Sequence, residues 1–418
     1  MPLETLVSPF VGVVRGVQEV LAGPEDLRLA TAWCETAFVD AGAYTGAGSG
    51  TTFAEARTTA ICEAAERYSA SIPRCEEMVV ATARELGDRA VDPRRFALFS
   101  DRQYRSSGFG YARFDRDTRL AWIEGRSLPD GDAAWLPAQL VHLSSRDDEP
   151  RIAQVTSSGL ACGATVADAT LAALLELLER DGFMIAWKAR LSLPLLQWDG
   201  NAELDAFDRT VLAPTGLARR VVDLSAFWDV PCAAAVVRSM AAESAPVGVG
   251  AAAAPTIARA VTKALDEATR VRSWADALRR GDVPVPARIV HFEDHIRFYA
   301  EPENAARVDF LDGSAELRHV DAVAPLPGAC AEARIEAICR RLARRGTSAY
   351  AVDVTSPDVA DAGLAVVRVL APELCALDVE HDARLLGGRR LYEEPVRLGL
   401  RDRLLREEDV DPDPHPFP

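Results

Sequence analysis

The chain has 418 residues, 49% of them apolar and 26% charged, with a formal net charge of −16 and a pI near 5.0. That is enough apolar sequence for one large core or two ordinary ones, which excludes a disordered or fibrous chain, and the acidic balance argues against general nucleic-acid binding. Lysine occurs only at Lys188 and Lys263, and neither closes a G-x-x-x-x-G-K-[ST] run, so a phosphate loop of that kind is excluded.

The start, MPLETLVSPFVGVVRG, lacks the basic stretch, apolar core and cleavage site of a signal peptide. No 18-residue apolar run suggests a membrane span, so a cytoplasmic protein without membrane attachment is expected. Eight scattered cysteines with no C-x-x-C pair read as reduced and mostly buried. The first predicted helix runs from Thr52 to Ala70, with Ala56, Ala60, Ala64 and Tyr68 on one face. The second runs from Val166 to Trp187 and the third from Pro255 to Leu278, before Arg279, Arg280 and Gly281. Strand-like pieces at 121–123, 234–237 and 365–370 lie between or after them, an α+β alternation with no linker to divide it. The end, residues 407–418, is acidic and then proline-rich (PDPHPFP), which suits an extended tail.

Four glutamates stand out: Glu63 and Glu66 in TAICEAAERY, and Glu176 and Glu179 in ALLELLERDGF. Each pair is spaced i,i+3, one turn apart on the same side of a helix. The second pair interrupts Leu174, Leu175, Leu177 and Leu178, so burial would cost several kcal/mol for each uncompensated carboxylate. A cation must face them. Arginine is one candidate, since Arg67 and Arg180 directly follow each pair; a divalent metal bridging polyphosphate is the other. Glycine-rich approaches, Gly46 to Thr52 and Thr156 to Gly163, precede both helices; as turns they would present main-chain N–H groups suited to phosphate, or serve as ordinary caps.

Together these segments resemble the YcaO family. GSGTTFAEARTTAICEAAERYSA is similar to its glycine-rich entry and S-x-x-x-E-x-x-E-R helix, with Thr59 in the serine place, and TSSGLACGATVADATLAALLELLERDGFMIAW resembles its second signature. WIEGRSL, WLPAQLV, KALDEATRVR, EDHIRFYAEPEN and DVTSPDVADAGLAVVRVLAPEL follow in the family's order. The resemblance implies one α+β YcaO-like ATP-binding domain over 1–406, with mixed sheets, packed helices and no P-loop. It further implies ATP and Mg2+ as cofactors, and an activity that phosphorylates a backbone amide oxygen of a ribosomal precursor peptide so that a Cys, Ser or Thr closes to an azoline. Sulfide or amine as nucleophile would give a thioamide or amidine instead. Carried over residue by residue, Glu63, Glu66, Glu176 and Glu179 would bind Mg2+, Arg67, Arg180 and Arg272 would contact phosphate with Glu267 beside Arg272, and Ser49 and Ser157 would line the nucleotide site. The chain departs from the family at Ser49, Ser158 and Ala164, where lysine, asparagine and asparagine are usual, and a degenerate scaffold subunit is the rival these departures suggest.

The terminus Pro414-His415-Pro416-Phe417-Pro418 resembles the P-x-P-x-P end of azoline-forming members, which implies a tail, 407–418, that reaches the active site and a role for the Pro418 carboxylate as base or orienting group. By composition alone it is a polyproline-like end. Since family-like sequence starts near residue 1, a leader-binding E1-like or RRE-containing partner is expected as a separate protein, and a homodimer is compatible with the chain. His291 and His295 form H-x-x-x-H but lack the glutamate placement of a zinc motif, so they read as structural.

Overall fold

The computed structural model describes residues 2–37, 44–128, 130–144, 146, 148–241 and 244–417. They form two compact units, each closed from three separate stretches: Met1–Leu21, Leu29–Leu177 and Gly328–Glu373 in the first, Ala22–Arg28, Leu178–Pro327 and Leu374–Pro418 in the second.

The first unit begins with a three-stranded antiparallel meander of Val14–Val20, Ala30–Thr36 and Thr45–Gly50, followed by helix Phe53–Ala70. Thr52 caps that helix by accepting from the Glu55 N–H at 3.3 Å. Its predicted alanine face is the buried one, with Ala56, Ala60 and Ala64 fully covered, while the Tyr68 hydroxyl donates to Asp358 at 2.8 Å. The glycine run before it is a strand rather than the expected turn. None of its glycines has a positive φ, and Gly48 pairs with Ala32. Glycine is required there for close approach: a Cβ on Gly48 would stand 2.2 Å from the Ala56 carbonyl oxygen and 2.5 Å from the Ala60 nitrogen. Behind the helix lies a second antiparallel sheet in the order Met78–Ala81, Leu120–Ser127, Tyr350–Asp353, Ala365–Leu370, Leu160–Gly163, with Ala133–Pro137 added to Leu120–Ser127. Ile61 and Ala65 of the helix share one core with Ile123, Leu136, Val352 and Val366.

The second unit repeats the opening device. Strands Ala218–Asp223, Cys232–Arg238 and Val247–Ala253 form an antiparallel meander that leads into helix Ile257–Arg280, capped by Thr256. A Cβ on Gly250 would stand 2.4 Å from the Ala268 nitrogen, as tight as at Gly48. Leu195–Gln197 and, in parallel, Leu317–His319 extend the sheet. Helix Val166–Lys188 is continuous and gives residues up to Leu177 to the first unit and from Leu178 to the second. Lys188 is buried against Asp378 and the Leu385 carbonyl, both at 3.0 Å, so one of the two lysines is structural. All eight cysteines are free thiols; Cys34, Cys232, Cys339 and Cys375 are buried, Cys62 and Cys162 half-buried, and Cys75 and Cys330 exposed. Among the described residues no helix is long and apolar enough to cross a membrane.

Two predictions follow from this packing. Gly48→Ala should lower stability by about 1–3 kcal/mol, because backbone atoms of the helix cannot yield, whereas Gly16→Ala, with open space around it, should be near neutral in the same chemical denaturation. His142 is buried, and loss of hydration lowers its pKa from 6.5 to about 4. The unfolded chain therefore takes up this proton first: the His142 contribution is complete above pH 6.5 and is lost as pH falls toward 4, at about 1.4 kcal/mol per pH unit. His142→Gln should remove that component from the pH dependence of unfolding.

Candidate active site

In the first unit, Glu63 and Glu66 sit one turn apart on helix Phe53–Ala70. The Ala47 N–H, on the glycine strand, donates to Glu63 Oε2 at 2.8 Å, and Arg67 pairs with Glu63 Oε1 at 2.6 Å. Arg67 also donates to the Thr45 carbonyl at 2.9 Å, so strand, carboxylate and guanidinium are one unit. Glu176 is fixed in the same manner by the Gly159 N–H at 2.8 Å. Gly159 has φ +80°, and a Cβ there would stand 2.5 Å from the Val369 carbonyl oxygen, so only glycine serves. Glu66 bears the electrostatic load. Loss of hydration pushes its pKa well above the ordinary range, Glu176 and Glu63 add to that, and Arg67 and Arg368 oppose it.

In the second unit, Glu179 Oε2 accepts from the Ala253 N–H at 3.1 Å and Glu267 Oε2 from the Ala251 N–H at 2.9 Å. Burial raises the Glu267 pKa, with Arg180 the main opposing charge. Glu267 thus pairs electrostatically with Arg180. Arg272, which the sequence reading set beside Glu267 as a phosphate contact, is buried and bonded to Glu25 at 2.8 Å, while the Ser239 hydroxyl holds the other Glu25 oxygen at 2.6 Å.

The tail belongs to this unit and is buried along most of its length. Tyr299 donates to the Pro414 carbonyl at 2.6 Å, Arg190 pairs with Asp411 at 2.7 Å, and Arg307 pairs with Asp413. Phe417 is fully covered, its ring 4.8 Å from that of Phe183 and 5.3 Å from the Arg180 guanidinium. Burying such a ring is worth about 1.5–3 kcal/mol, so the tail is docked rather than loosely extended. Pro418 lies outside the described residues.

The structure therefore groups Glu63, Glu66, Arg67 and Glu176 in one unit, and Glu179, Arg180 and Glu267 in the other. Ser49 lies on the glycine strand opposite Thr31, and the Ser157 carbonyl accepts from Leu160 N–H at 2.9 Å in the turn before the long helix. The expected offer of main-chain N–H groups by the Gly48–Thr51 segment is not made at Thr51, whose N–H and hydroxyl both donate to Glu55, at 2.8 and 2.6 Å. Arg368 escaped the sequence reading. It is a buried cation in the apolar strand AVVRVL, donating to the Thr156 carbonyl at 2.8 Å, and a charge within such a run was the available signal.

Among the described residues no three His, Cys, Asp or Glu stand together as a cage for a metal ion. The donor set fits Mg2+ all the same: that ion takes one or two carboxylates and completes its shell with water and substrate phosphate. Hard oxygen donors are present, and Glu66 is a half-buried carboxylate whose lost hydration a cation would offset.

Fold and site define an α+β protein on the heterocyclase fold. The chain is similar to a heterocyclase solved with substrate and cofactor (26% identity, TM-score 0.81, all of this chain and 57% of that one) and to the heterocyclase TruD (25%, 0.71, 88% and 52%). It spans little more than half the length of those two proteins. The YcaO protein of Methanopyrus kandleri, bound with AMPPCP and Mg2+, shares the fold at 22% identity and TM-score 0.63, with 86% of each chain covered. A Mycobacterium tuberculosis protein is 28% identical over 78% of this chain and 70% of its own length. Residues 47–375 match the family of YcaO cyclodehydratases, described as ATP- and Mg2+-binding, and the chain belongs to the YcaO family.

Because Glu66 resists ionisation in the ligand-free fold, its penalty is absent below the ordinary carboxylate value of 4.5 and grows as pH rises through the elevated folded value. Glu66→Gln should therefore raise the unfolding temperature of the ligand-free protein at neutral pH and abolish the further rise on adding Mg2+ and ATP. Differential scanning fluorimetry reads both effects, and an undiminished response to Mg2+ and ATP would remove Glu66 from the cation site.

Proposed function

We propose that the chain is an ATP-dependent peptide cyclodehydratase that forms azolines from Cys, Ser or Thr of a ribosomal precursor peptide. The observation that carries this reading is the docked tail, with Phe417 buried against Arg180, the neighbour of Glu179 in sequence. Membership of the YcaO family and the likeness to a heterocyclase solved with substrate and cofactor support it.

ATP with Mg2+ supplies a phosphoryl group that converts the amide oxygen into a phosphate leaving group once the side-chain nucleophile has added to the amide carbon. The chain's own residues position and compensate charge. Glu63, Glu66, Glu176 and Glu179 would be the carboxylates that hold Mg2+. Arg67 and Arg180 meet phosphate oxygens, with Glu267 orienting Arg180; Arg272 is assigned to phosphate as well, with Glu25 its partner when no nucleotide is bound. Ser49 and Ser157 line the nucleotide. The Pro418 carboxylate, carried by the docked tail, is assigned as the base that receives the nucleophile's proton. The leader of the peptide is held by a separate E1-like or RRE-containing partner.

The test is mass spectrometry of the candidate precursor after incubation with ATP, Mg2+, this chain and its partner. Loss of one water per modified residue supports azoline formation. A gain in mass from exchange of oxygen for sulfur would favour thioamidation, and absence of ATP consumption with all components present would favour the scaffold reading prompted by Ser49, Ser158 and Ala164. Truncation after His415 should slow cyclisation by about a hundredfold or more while leaving calorimetric binding of ATP and Mg2+ intact; unchanged turnover would take the tail out of the reaction.

A further inference from the structure

One motif has no place in the reaction above: His291 and His295 of HFEDH. The two histidines serve different ends. His291 caps helix Phe292–Tyr299, its N–H donating to Asp294 at 2.9 Å. His295 is completely buried and both ring nitrogens face main-chain carbonyls, Nδ1 that of His415 and Nε2 that of Val379, each at 2.9 Å. With both nitrogens engaged by the protein, the ring is a clamp rather than a metal ligand.

What it clamps is the tail. The His295 and His415 rings stack at 4.2 Å with 22° between their planes. His415 Nε2 faces the Asp378 carbonyl at 2.7 Å, and His415 Nδ1 accepts the Phe417 N–H at 3.3 Å. One nitrogen donates and the other accepts, which a neutral ring satisfies and an imidazolium cannot. Asp378 is itself fixed by Lys188, paired at 2.9 Å. The sequence of contacts therefore runs from His295 to the His415 carbonyl, from the His415 ring to the Phe417 N–H, and from the Phe417 ring to Arg180.

We propose that His295 is the positioning residue for the carboxy-terminal tail: its Nδ1–H donates to the His415 carbonyl, fixing the ring that holds Phe417 against Arg180. This rests on the tail having the role given to it above. The Val379 carbonyl lies at the same 2.9 Å from Nε2, which, with Nδ1 carrying its proton, donates to it only in the imidazolium; Nδ1–H serves the tail in the imidazolium and in the Nδ1–H neutral tautomer alike.

Two near-isosteric substitutions separate the sides. Asparagine places an amide N–H2 near the Nδ1 position, and glutamine near Nε2. In the full-length protein, H295Q and H295A should speed hydrogen exchange at the Asp413, His415 and Phe417 amides by about tenfold, the effect of one lost buried hydrogen bond. H295N should keep most of the protection. Exchange across strand Cys232–Arg238 should stay slow in all three, which reports an intact fold. With ATP and Mg2+ alone as the probe, H295Q should lower kcat for phosphate release toward that of a chain truncated after Pro414, with KM for ATP within about twofold, and H295N should restore it. Wild-type tail protection in H295Q, or loss in H295N as large as in H295A, would overturn the inference. Should the truncated chain release phosphate as fast as wild type, the tail's role in turnover falls, and the exchange comparison still decides what holds it.

Discussion

The structure depends on one hydrogen bond made four times: a main-chain N–H, three times on a strand and once in the turn just before one, donating to one oxygen of a helical glutamate. Ala47 holds Glu63, Gly159 holds Glu176, Ala253 holds Glu179 and Ala251 holds Glu267. A hydrogen bond to a charged acceptor is worth about 1.5–3 kcal/mol and fixes direction as well as energy. It also sets the fold's tightest spacing, because the amide reaches the carboxylate only if strand and helix backbones nearly touch. Glycine and alanine fill the facing positions for that reason, as the contacts at Gly48 and Gly250 show.

Much of this could be read in advance. Alanines every fourth residue put helix Phe53–Ala70 on the core, and the arginines before Gly281 marked the end of the third helix, which closes at Arg280. The paired glutamates were visible because charge inside an apolar helix demands compensation. The glycine run misled, since glycines that admit a phosphate and glycines that admit a helix are the same letters; only register against a neighbouring strand separates them. Distance in sequence hid the rest. Glu25 neutralises Arg272 from 247 residues away, and His295 grips a carbonyl 120 residues further on. No linker announced the two units because each closes from three stretches of chain, so the division follows no single boundary.

Arginine carries the cationic duties of an acidic chain. Arg67 bridges a carboxylate and a main-chain carbonyl at once, which a planar fork of donors does well and a lysine ammonium does poorly. The half-buried Arg390 shows the same economy in a structural setting: it forks onto Asp181, reaches Glu394 and lies 4.1 Å over the Trp228 ring.

The donors that aim the glutamates are peptide groups, and this bears on how the chain can drift over evolutionary time. A side-chain donor is lost by any replacement; a peptide N–H survives every substitution except proline, limited at the closest contacts by size. The orientation of the acids is thereby insulated from the identity of the strand residues beside them. Side chains at 49, 158 and 164 can differ while the peptide groups of Ala47, Gly159, Ala251 and Ala253 point as they do. Such a chain can change its side chains in these strands while its glutamates keep their aim, so sequences that differ there can share the geometry.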